Sequence, residues 1–298
     1  MIECCAVDVT AHHTYALWAA RLLVDAAALR KHVGTSYAID IKSVPPAAAR
    51  FLDTCMIRAS TRMRKTPPME RAHAVSRPVT IGESFQLDGF GHVSCKVVGG
   101  KETYQWLALD SVSDYAHEML TTSSGQESLF AFLDIVHAYE TRIKHCPKEL
   151  RFDACPVWAN ENVNLFKHAI AARYKCVAII AAGGDHNVIP KLEAAQDHPF
   201  TRMAEDMLQR AHKEKPFFLR ARAYAVQVRN DKCAHDQKAT RFHRHHAAPS
   251  DVTHYIFGTL CAVLKDGHNS QRAPVGSAER TDNAILIGYE PLARKRML

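Results

Sequence analysis

The middle of the chain contains short segments in which apolar residues recur at about every second position, followed by segments with a helical spacing. The first kind predicts strands at SFQLDGFG (84–91) and HVSCKVV (92–98), and TYQWLALD (103–110) is predicted as a third strand. Glycines in and between these segments are typical of tight turns, with GGK (99–101) as one example. Three consecutive strands therefore predict an antiparallel meander.

A helical spacing follows the predicted meander. Leu129, Leu133 and Val136 lie three or four residues apart and predict a helix that Ser124 can cap. Strand and helix patterns then alternate: a strand at KELRFD (148–153), a helix at 160–175, a strand at CVAIIAA (176–182), and a helix whose apolar stripe runs from Phe200 to Ala211. This order predicts an α/β fold in which helices flank a mixed five-stranded sheet.

The two ends of the chain differ from this central region in the pattern of their apolar and polar residues. We predict a helix at Tyr15–Lys31 and, after it, a basic and proline-containing linker at 57–78. The predicted organisation is a helical or irregular N-terminal region at 1–80, an α/β core at 81–215 and a small C-terminal β-containing region at 216–298.

The composition is that of a soluble globular protein, with 298 residues of which 47% are hydrophobic and 23% charged. The N-terminus lacks the basic start and long apolar centre of a secretory signal, so we expect an intracellular protein. Nine cysteines without a Cys-x-x-Cys pair argue against a disulfide framework and a zinc ribbon. The net charge of +7 favours a polyanionic partner such as nucleic acid.

Two further signals receive a structural interpretation. Tyr104 and Trp106 follow a strand pattern, and we predict that they belong to the core and do not stack on nucleic-acid bases. The histidine-rich stretch RFHRHHAAP (241–249) has no partnering acid beside it, and we expect a solvated loop there.

Three acids fall at the ends of predicted elements. Asp88 lies in or just after the first predicted strand, Asp153 ends the fourth, and Glu193 lies near the start of the helix after the last strand. In a ribonuclease-H-like sheet the first strand is central and the fourth lies beside it in parallel, so the two aspartates would face each other. Converging carboxylates need a cation between them, and Mg²⁺ prefers oxygen ligands. Each aspartate alone is also a common turn or cap residue.

Several motifs resemble the integrases of Copia-type retrotransposons, a family within the retroviral integrase superfamily. FQLDGFG is similar to the segment with the family's first catalytic aspartate, and KELRFD to the strand with the second. LEAAQDHPFTRMAEDML resembles the helix with the catalytic glutamate, and GGKETYQWLALDSVSDY resembles the family's stretch between these elements. PSDVTHYIFGTLCAVLKDG and NAILIGYEPLARKRML are similar to the segment that follows the core in the family's Gag-Pol polyproteins.

The resemblance implies a set of expectations. Asp88, Asp153 and Glu193 would be both the catalytic residues and the ligands of Mg²⁺ or Mn²⁺. Asp110 also lies in a family-like motif, but its counterpart is structural and it is not counted as catalytic. The partners would be DNA, in the form of element ends and target DNA, and further copies of the chain. The expected location is the nucleus, and no membrane association is expected.

The sequence departs from the family in two places. The N-terminal zinc module retains Cys55 alone, while Ala19, Val24 and Arg58 replace the other expected ligands, so we predict no zinc there; His12 and His13 leave a small alternative. The helix with Glu193 lacks the residues that usually flank the glutamate. Pro199 is predicted to interrupt or kink this helix, and Glu205 is the fallback for the third acid.

The leading functional interpretation is a polynucleotidyl transferase that processes DNA 3′ ends and joins them to target DNA. Arg62, Arg64 and Lys65 in the linker would neutralise phosphates without reading bases. A second interpretation is a catalytically decayed or domesticated copy that binds DNA, and a third is a nuclease for RNA–DNA hybrids. Whether the chain is an enzyme stays open on the sequence alone.

Overall fold

The structure is a computed structural model. It describes residues 11–23, 29, 78, 80–93, 101–122, 132–137, 140, 147–152, 172, 175–180, 188–233, 239–250, 252, 254–264, 281–289 and 296–297. The strands are β1 Ser84–Phe90, β2 Tyr104–Asp110, β3 Ala116–Thr121, β4 Glu149–Phe152, β5 Val177–Ile180, β6 Leu260–Leu264, β7 Thr281–Ile285, β8 Gly288–Tyr289 and β9 Arg296–Met297. The α-helices with both ends among the described residues are α1 Ala11–Leu22, α2 Pro190–Ala195, α3 Arg202–Ala211, α4 Phe218–Asn230 and α5 Arg241–His246.

The first five strands form one mixed sheet in the order β3-β2-β1-β4-β5. β1 pairs antiparallel with β2 and parallel with β4, and the β4–β5 pair is also parallel. β1 is therefore central, with the fourth strand beside it. This confirms the predicted ribonuclease-H-like five-stranded sheet flanked by helices.

One strand of the meander differs from the prediction. TYQWLALD forms β2, and β3 is Ala116–Thr121, which the sequence reasoning missed. The predicted strand HVSCKVV is wrong at its first two residues, since His92 and Val93 lie outside any strand, and its remainder falls outside the described residues. β3 was missed because the buried residue Glu118 disturbs the expected alternation of apolar and polar positions.

The two faces of the sheet are covered by different elements. On one face, Phe85 and Leu87 of β1 pack with Leu150 and Phe152 of β4 beneath a helical stretch at 132–137. Trp106 of β2 is 2% exposed in the same cluster, which confirms its predicted core role. Because successive strand residues point to opposite faces, Ser84, Gln86 and Asp88 lie on the other face.

The second face carries the elements that build the candidate site. Leu107 and Leu109 of β2 pack there against Leu192 of α2, Phe200 and Val226 of α4. α4 thus lies directly on the sheet although it begins beyond residue 215, the predicted end of the core. The domain boundaries themselves stay a prediction.

The C-terminal part of the described chain contains short β pairs. β6 pairs antiparallel with β7, and β8 pairs antiparallel with β9. Leu23, at the end of α1, packs with Phe257 and Ile287 and with buried residues of α3 and α4. The predicted first helix is wrong at its start and is interrupted, because α1 covers Ala11–Leu22 and Leu23 has a left-handed backbone with φ 51°. Residues 24–28, 30 and 31 of the prediction lie outside the described residues.

Candidate active site

Asp88 lies on the central strand with its carboxylate held by two donors. Its Oδ1 accepts the backbone N–H of Gly89 at 2.7 Å, and its Oδ2 accepts the side-chain amide N–H of Gln196. The side chain is half-buried. Gly89 is required at this point because a Cβ there would come within 2.7 Å of Cε3 of Trp106. The Trp106 ring therefore packs directly against the backbone of the residue that follows Asp88.

β4 ends at the residue before the second predicted acid. Leu87 and Phe152 are register partners in the parallel pair, so the residue before Asp88 lies beside the residue before Asp153. Both side chains are fully buried in the same cluster. Asp153 itself lies outside the described residues.

Gln86 fastens the helix of the third predicted acid to the central strand. Its Oε1 accepts the backbone N–H groups of Lys191 and Leu192 at 3.1 and 3.0 Å. These are among the first N–H groups of α2, a part of a helix where backbone donors lack regular partners; Leu192 N–H also donates to the carbonyl of Ile189 at 3.1 Å, and Pro190 at the first turn has no N–H. α2 consequently lies alongside β1, with Gln86 at its start and Asp88 near its end.

The helix side chain that the structure shows bonded to Asp88 is Gln196. It lies three residues after Glu193, which is half-buried on α2. The fallback Glu205 is exposed on α3. Sequence reasoning did not single out Gln196, although its spacing from Glu193, close to one helical turn, is a signal that could have found it.

Pro199 interrupts the helix as predicted. Residues Gln196–Thr201 form a π-helical turn that contains Pro199 and separates α2 from α3. Such turns insert extra backbone into a helix and are frequent at functional sites. The backbone carbonyl of Gln196 accepts the hydroxyl of Thr201 at 2.8 Å, which stabilises the turn.

A buried arginine holds Gln196 from the side opposite Asp88. Arg222 of α4 is 0% exposed, and its Nη2 donates to Gln196 Oε1 at 2.6 Å. Its Nη1 donates to the backbone carbonyl of Gln196 at 3.3 Å and to the hydroxyl of Thr201. The Arg222 guanidinium carbon also lies 3.7 Å from the ring centroid of Phe90, within cation–π range.

The polar cluster continues under α4 to a buried carboxyl on β3. Arg222 Nε donates to Gln105 Oε1 at 2.8 Å, and Gln105 in turn interacts with Glu118. Burial raises the pKa of the Glu118 carboxyl to about 7, although Gln227, Gln105 and the positive charge of Arg220 act in the opposite direction. Glu118 is therefore a buried acid that changes its charge close to neutral pH.

Asp110, at the end of β2, is enclosed by a turn. Its Oδ1 accepts Gly82 N–H at 2.9 Å, and its Oδ2 accepts both the backbone N–H of Ser113, at 2.8 Å, and the Ser113 hydroxyl. Burial acts to raise the pKa of Asp110, but hydrogen bonds from His245, Ser113 and Gly82 outweigh it and hold the pKa below its usual value. These contacts give Asp110 a structural role.

The histidine-rich stretch is not the solvated loop that we expected. Residues Arg241–His246 form α5, and His245 is buried with its ring stacked on Tyr115 at 4.5 Å between centroids. His245 Nδ1 lies 3.1 Å from Ser113 Oγ and 3.6 Å from Asp110 Oδ2. A Ser-His-Asp triad needs the serine and the aspartate on different ring nitrogens. Here both face Nδ1 inside a closed core, so this cluster is not a nucleophilic site.

Among the predicted metal ligands, Asp88 has a carboxylate environment that suits a divalent cation. Both oxygens of Asp88 accept an N–H, and metal-binding carboxylates are usually hydrogen-bonded in this way. Among the residues that the structure describes, no three histidines, cysteines or acids converge to hold a metal. Asp153 is not among those residues.

Other predicted residues are described only in part. Of the positions in the N-terminal zinc module, Ala19 is buried in α1, while Val24, Cys55 and Arg58 lie outside the described residues, as do the side chains of His12 and His13. The linker cations Arg62, Arg64 and Lys65 lie outside them as well. Within the described part of the chain, no helix has the length and apolar content needed to cross a bilayer.

Comparison with known proteins finds similarity at the level of structure. No family model matches the sequence, and no curated protein matches it. A chain of the simian T-cell lymphotropic virus intasome in complex with PP2A regulatory subunit B56 gamma is similar over 90% of this chain and 86% of its own, at 15% identity and a TM-score of 0.46. The HTLV-2 integrase catalytic core domain in complex with magnesium, in a trimeric form, is similar over 55% of this chain and 97% of its own, at 14% identity and a TM-score of 0.40. Both TM-scores lie below 0.5, so the fold assignment rests on the strand order and directions of the sheet.

Proposed function

We propose that the chain is an integrase-type polynucleotidyl transferase of the Copia retrotransposon class. One observation carries the proposal: Leu87 and Phe152, the residues before Asp88 and Asp153, are paired on the two central parallel strands. Arg151 lies beside Gln86 in the same pair. In this proposal the alternation of β4 continues by one residue, so that Asp153 would share the sheet face of Asp88. That face is the one covered by α2, which carries Glu193.

In this proposal Asp88, Asp153 and Glu193 hold Mg²⁺ or Mn²⁺. When bound, the ions supply positive charge at the phosphate under attack. The chain's own part is to position these acids: Gln86 fixes α2 against β1, and Gln196 holds one oxygen of Asp88. Preorganised groups of this kind need no rearrangement during the reaction, which lowers its barrier.

The proposed reaction has two in-line displacements at phosphorus. Water first removes nucleotides from a DNA 3′ end, and the freed 3′-hydroxyl then attacks a phosphate of target DNA. The net charge of +7 suits a polyanionic substrate bound through its backbone, with the linker cations Arg62, Arg64 and Lys65 as phosphate contacts. The chain would act as a homo-oligomer in the nucleus, as one segment of a longer Gag-Pol polyprotein.

One observation favours the second candidate, a decayed copy that binds DNA without cutting it. The helix residue bonded to Asp88 is a neutral amide, Gln196, whereas metal sites of this class are built from carboxylates. An amide N–H cannot ligate a cation. If Glu193 does not also reach the ion, the site has lost one of its three acids.

A strand-transfer assay separates the two candidates. A labelled duplex with a free 3′-hydroxyl end is incubated with supercoiled plasmid and Mg²⁺, and joined products are counted for the parent chain, Asp88→Asn and Asp153→Asn. Asp134→Asn is the matched control, because Asp134 is exposed on the 132–137 helix of the opposite sheet face. The proposal expects joining by the parent and the control, and loss of at least about a hundredfold in the two site variants.

Equal joining by all four proteins, or activity lost equally in the control, contradicts the proposed site. DNA binding by the parent without any joining in Mg²⁺ or Mn²⁺ supports the decayed copy. Cleavage of an RNA–DNA hybrid without joining of DNA ends identifies a hybrid nuclease.

A further inference from the structure

The bond between Gln196 and Asp88 depends on which way a side-chain amide faces. A glutamine amide presents an N–H donor on one side and a carbonyl oxygen on the other. The structure has the nitrogen directed to Asp88 Oδ2 and the oxygen directed to Arg222. Rotation by half a turn would aim the carbonyl oxygen at the carboxylate and exchange an attraction for a repulsion.

Arg222 determines this orientation. A guanidinium has five N–H donors and no acceptor, so it can accommodate the carbonyl oxygen of Gln196 but not its NH₂ group. The Nη2–Oε1 distance of 2.6 Å leaves no room for a bridging water. The amide nitrogen is consequently left facing Asp88.

Arg222 is itself held on several sides. Its Nε donates to Gln105 Oε1, its Nη1 donates to Thr201 and to the Gln196 backbone, and its guanidinium stacks on Phe90. It is 0% exposed, so bulk solvent does not compete for these bonds. A side chain fixed in this way transmits its orientation to Gln196.

We propose that Arg222 is a positioning residue for Asp88 and acts through the side-chain amide of Gln196. The guanidinium fixes the amide, and the amide N–H holds Oδ2 of the Asp88 carboxylate in one position. This inference rests on the proposed function in one respect, since it assigns Asp88 to a metal ion. Its structural half, the orientation of the amide, can be measured without metal.

The test is a double-mutant cycle in the full chain with Arg222→Met, Gln196→Met and the double variant. Arg220→Met is the matched control. Arg220 is a buried arginine of the same helix and pairs with Glu102 at 2.9 Å, whereas the bonds to Gln196 come from Arg222. Two quantities are measured: the Mg²⁺ dissociation constant by calorimetry, and hydrogen exchange of the Gln196 side-chain amide by NMR of metal-free protein. Arg222→Lys is a further variant that keeps the positive charge but lacks the planar guanidinium group.

The expected result is an Mg²⁺ dissociation constant raised about tenfold in both single variants and no further in the double variant. Exchange of the Gln196 amide should accelerate in Arg222→Met and in Arg222→Lys but not in Arg220→Met. Additive effects on Mg²⁺ binding, equal acceleration in the control, or an amide whose exchange is unchanged in Arg222→Met would overturn the inference. A parent chain that binds no Mg²⁺ would refute the proposed function, while amide exchange would still decide whether Arg222 orients Gln196.

Discussion

Replacing Glu118 by glutamine should change how the stability of the protein depends on pH. Glu118 lies on β3 with 7% of its surface exposed, and burial raises its pKa from 4.5 to about 7. Between these two pH values the folded chain keeps a proton that the unfolded chain has lost. The free energy of unfolding therefore falls as the pH rises through this window.

The size of the effect follows from the two pKa values. At about 1.4 kcal/mol for each pH unit between them, protonation of Glu118 favours the folded state by about 3 kcal/mol below pH 4.5, and this stabilisation is lost once the pH exceeds about 7. Glu118→Gln is neutral throughout and has nearly the same shape. The variant should therefore gain about 3 kcal/mol relative to the parent between about pH 4.5 and about pH 8.

Urea unfolding followed by circular dichroism, repeated across this pH range for parent and variant, measures the difference directly. Glu205→Gln controls for the removal of one carboxylate, since Glu205 is exposed on α3. A difference between Glu118→Gln and the parent that stays constant from about pH 4.5 to about pH 8, or that shrinks as the pH rises, would refute the assignment of a buried, protonated carboxyl to Glu118.

Three further substitutions test the elements that build the site. Gly89→Ala should cost about 1–3 kcal/mol in urea unfolding, because its Cβ would enter the space of Trp106; an unchanged stability would contradict the close approach. Asp110→Asn should cost about 3 kcal/mol at neutral pH, because an amide has one acceptor oxygen and cannot accept both from Gly82 N–H and from the N–H and O–H of Ser113. The loss should shrink as the pH falls through the lowered pKa of Asp110; a loss that does not depend on pH would argue against an ionised Asp110. Gln86→Leu should cost about 1 kcal/mol of stability and weaken Mg²⁺ binding, because it removes the acceptor for two N–H groups of α2. Gln86→Glu keeps an acceptor and should retain most of the stability and of the Mg²⁺ affinity; equal effects of the two variants would rule out this helix contact.

The sheet could be predicted from sequence because most of its strands carry a regular pattern. β1 alternates apolar and polar residues, β2 contains an apolar run and β5 is apolar throughout, so their order along the chain was enough to indicate the layer fold. β3 was missed because its inward position 118 holds a charged residue type. A buried glutamate looks like a surface residue until its neighbours are known.

The site could be predicted only as far as single residues at element ends. Asp88 and the helix of Glu193 follow from strand and helix patterns, but the contact from Gln196 depends on a π-turn. A π-turn rotates everything after it relative to a regular helix, so one periodic pattern cannot describe the whole of α2 and α3. Arg222 could not be found either, because α4 contains three arginines and only their contacts in the fold distinguish Arg222 from the other two.

The most direct measurement of the central claim is a crystal structure with Mn²⁺, with the ion located by its anomalous scattering. Our account predicts a peak about 2.1 Å from carboxylate oxygens of both Asp88 and Asp153, with Glu193 completing the same site. Asp88 and Asp153 on different surfaces, or Mn²⁺ bound elsewhere while this sheet edge stays empty, would contradict it.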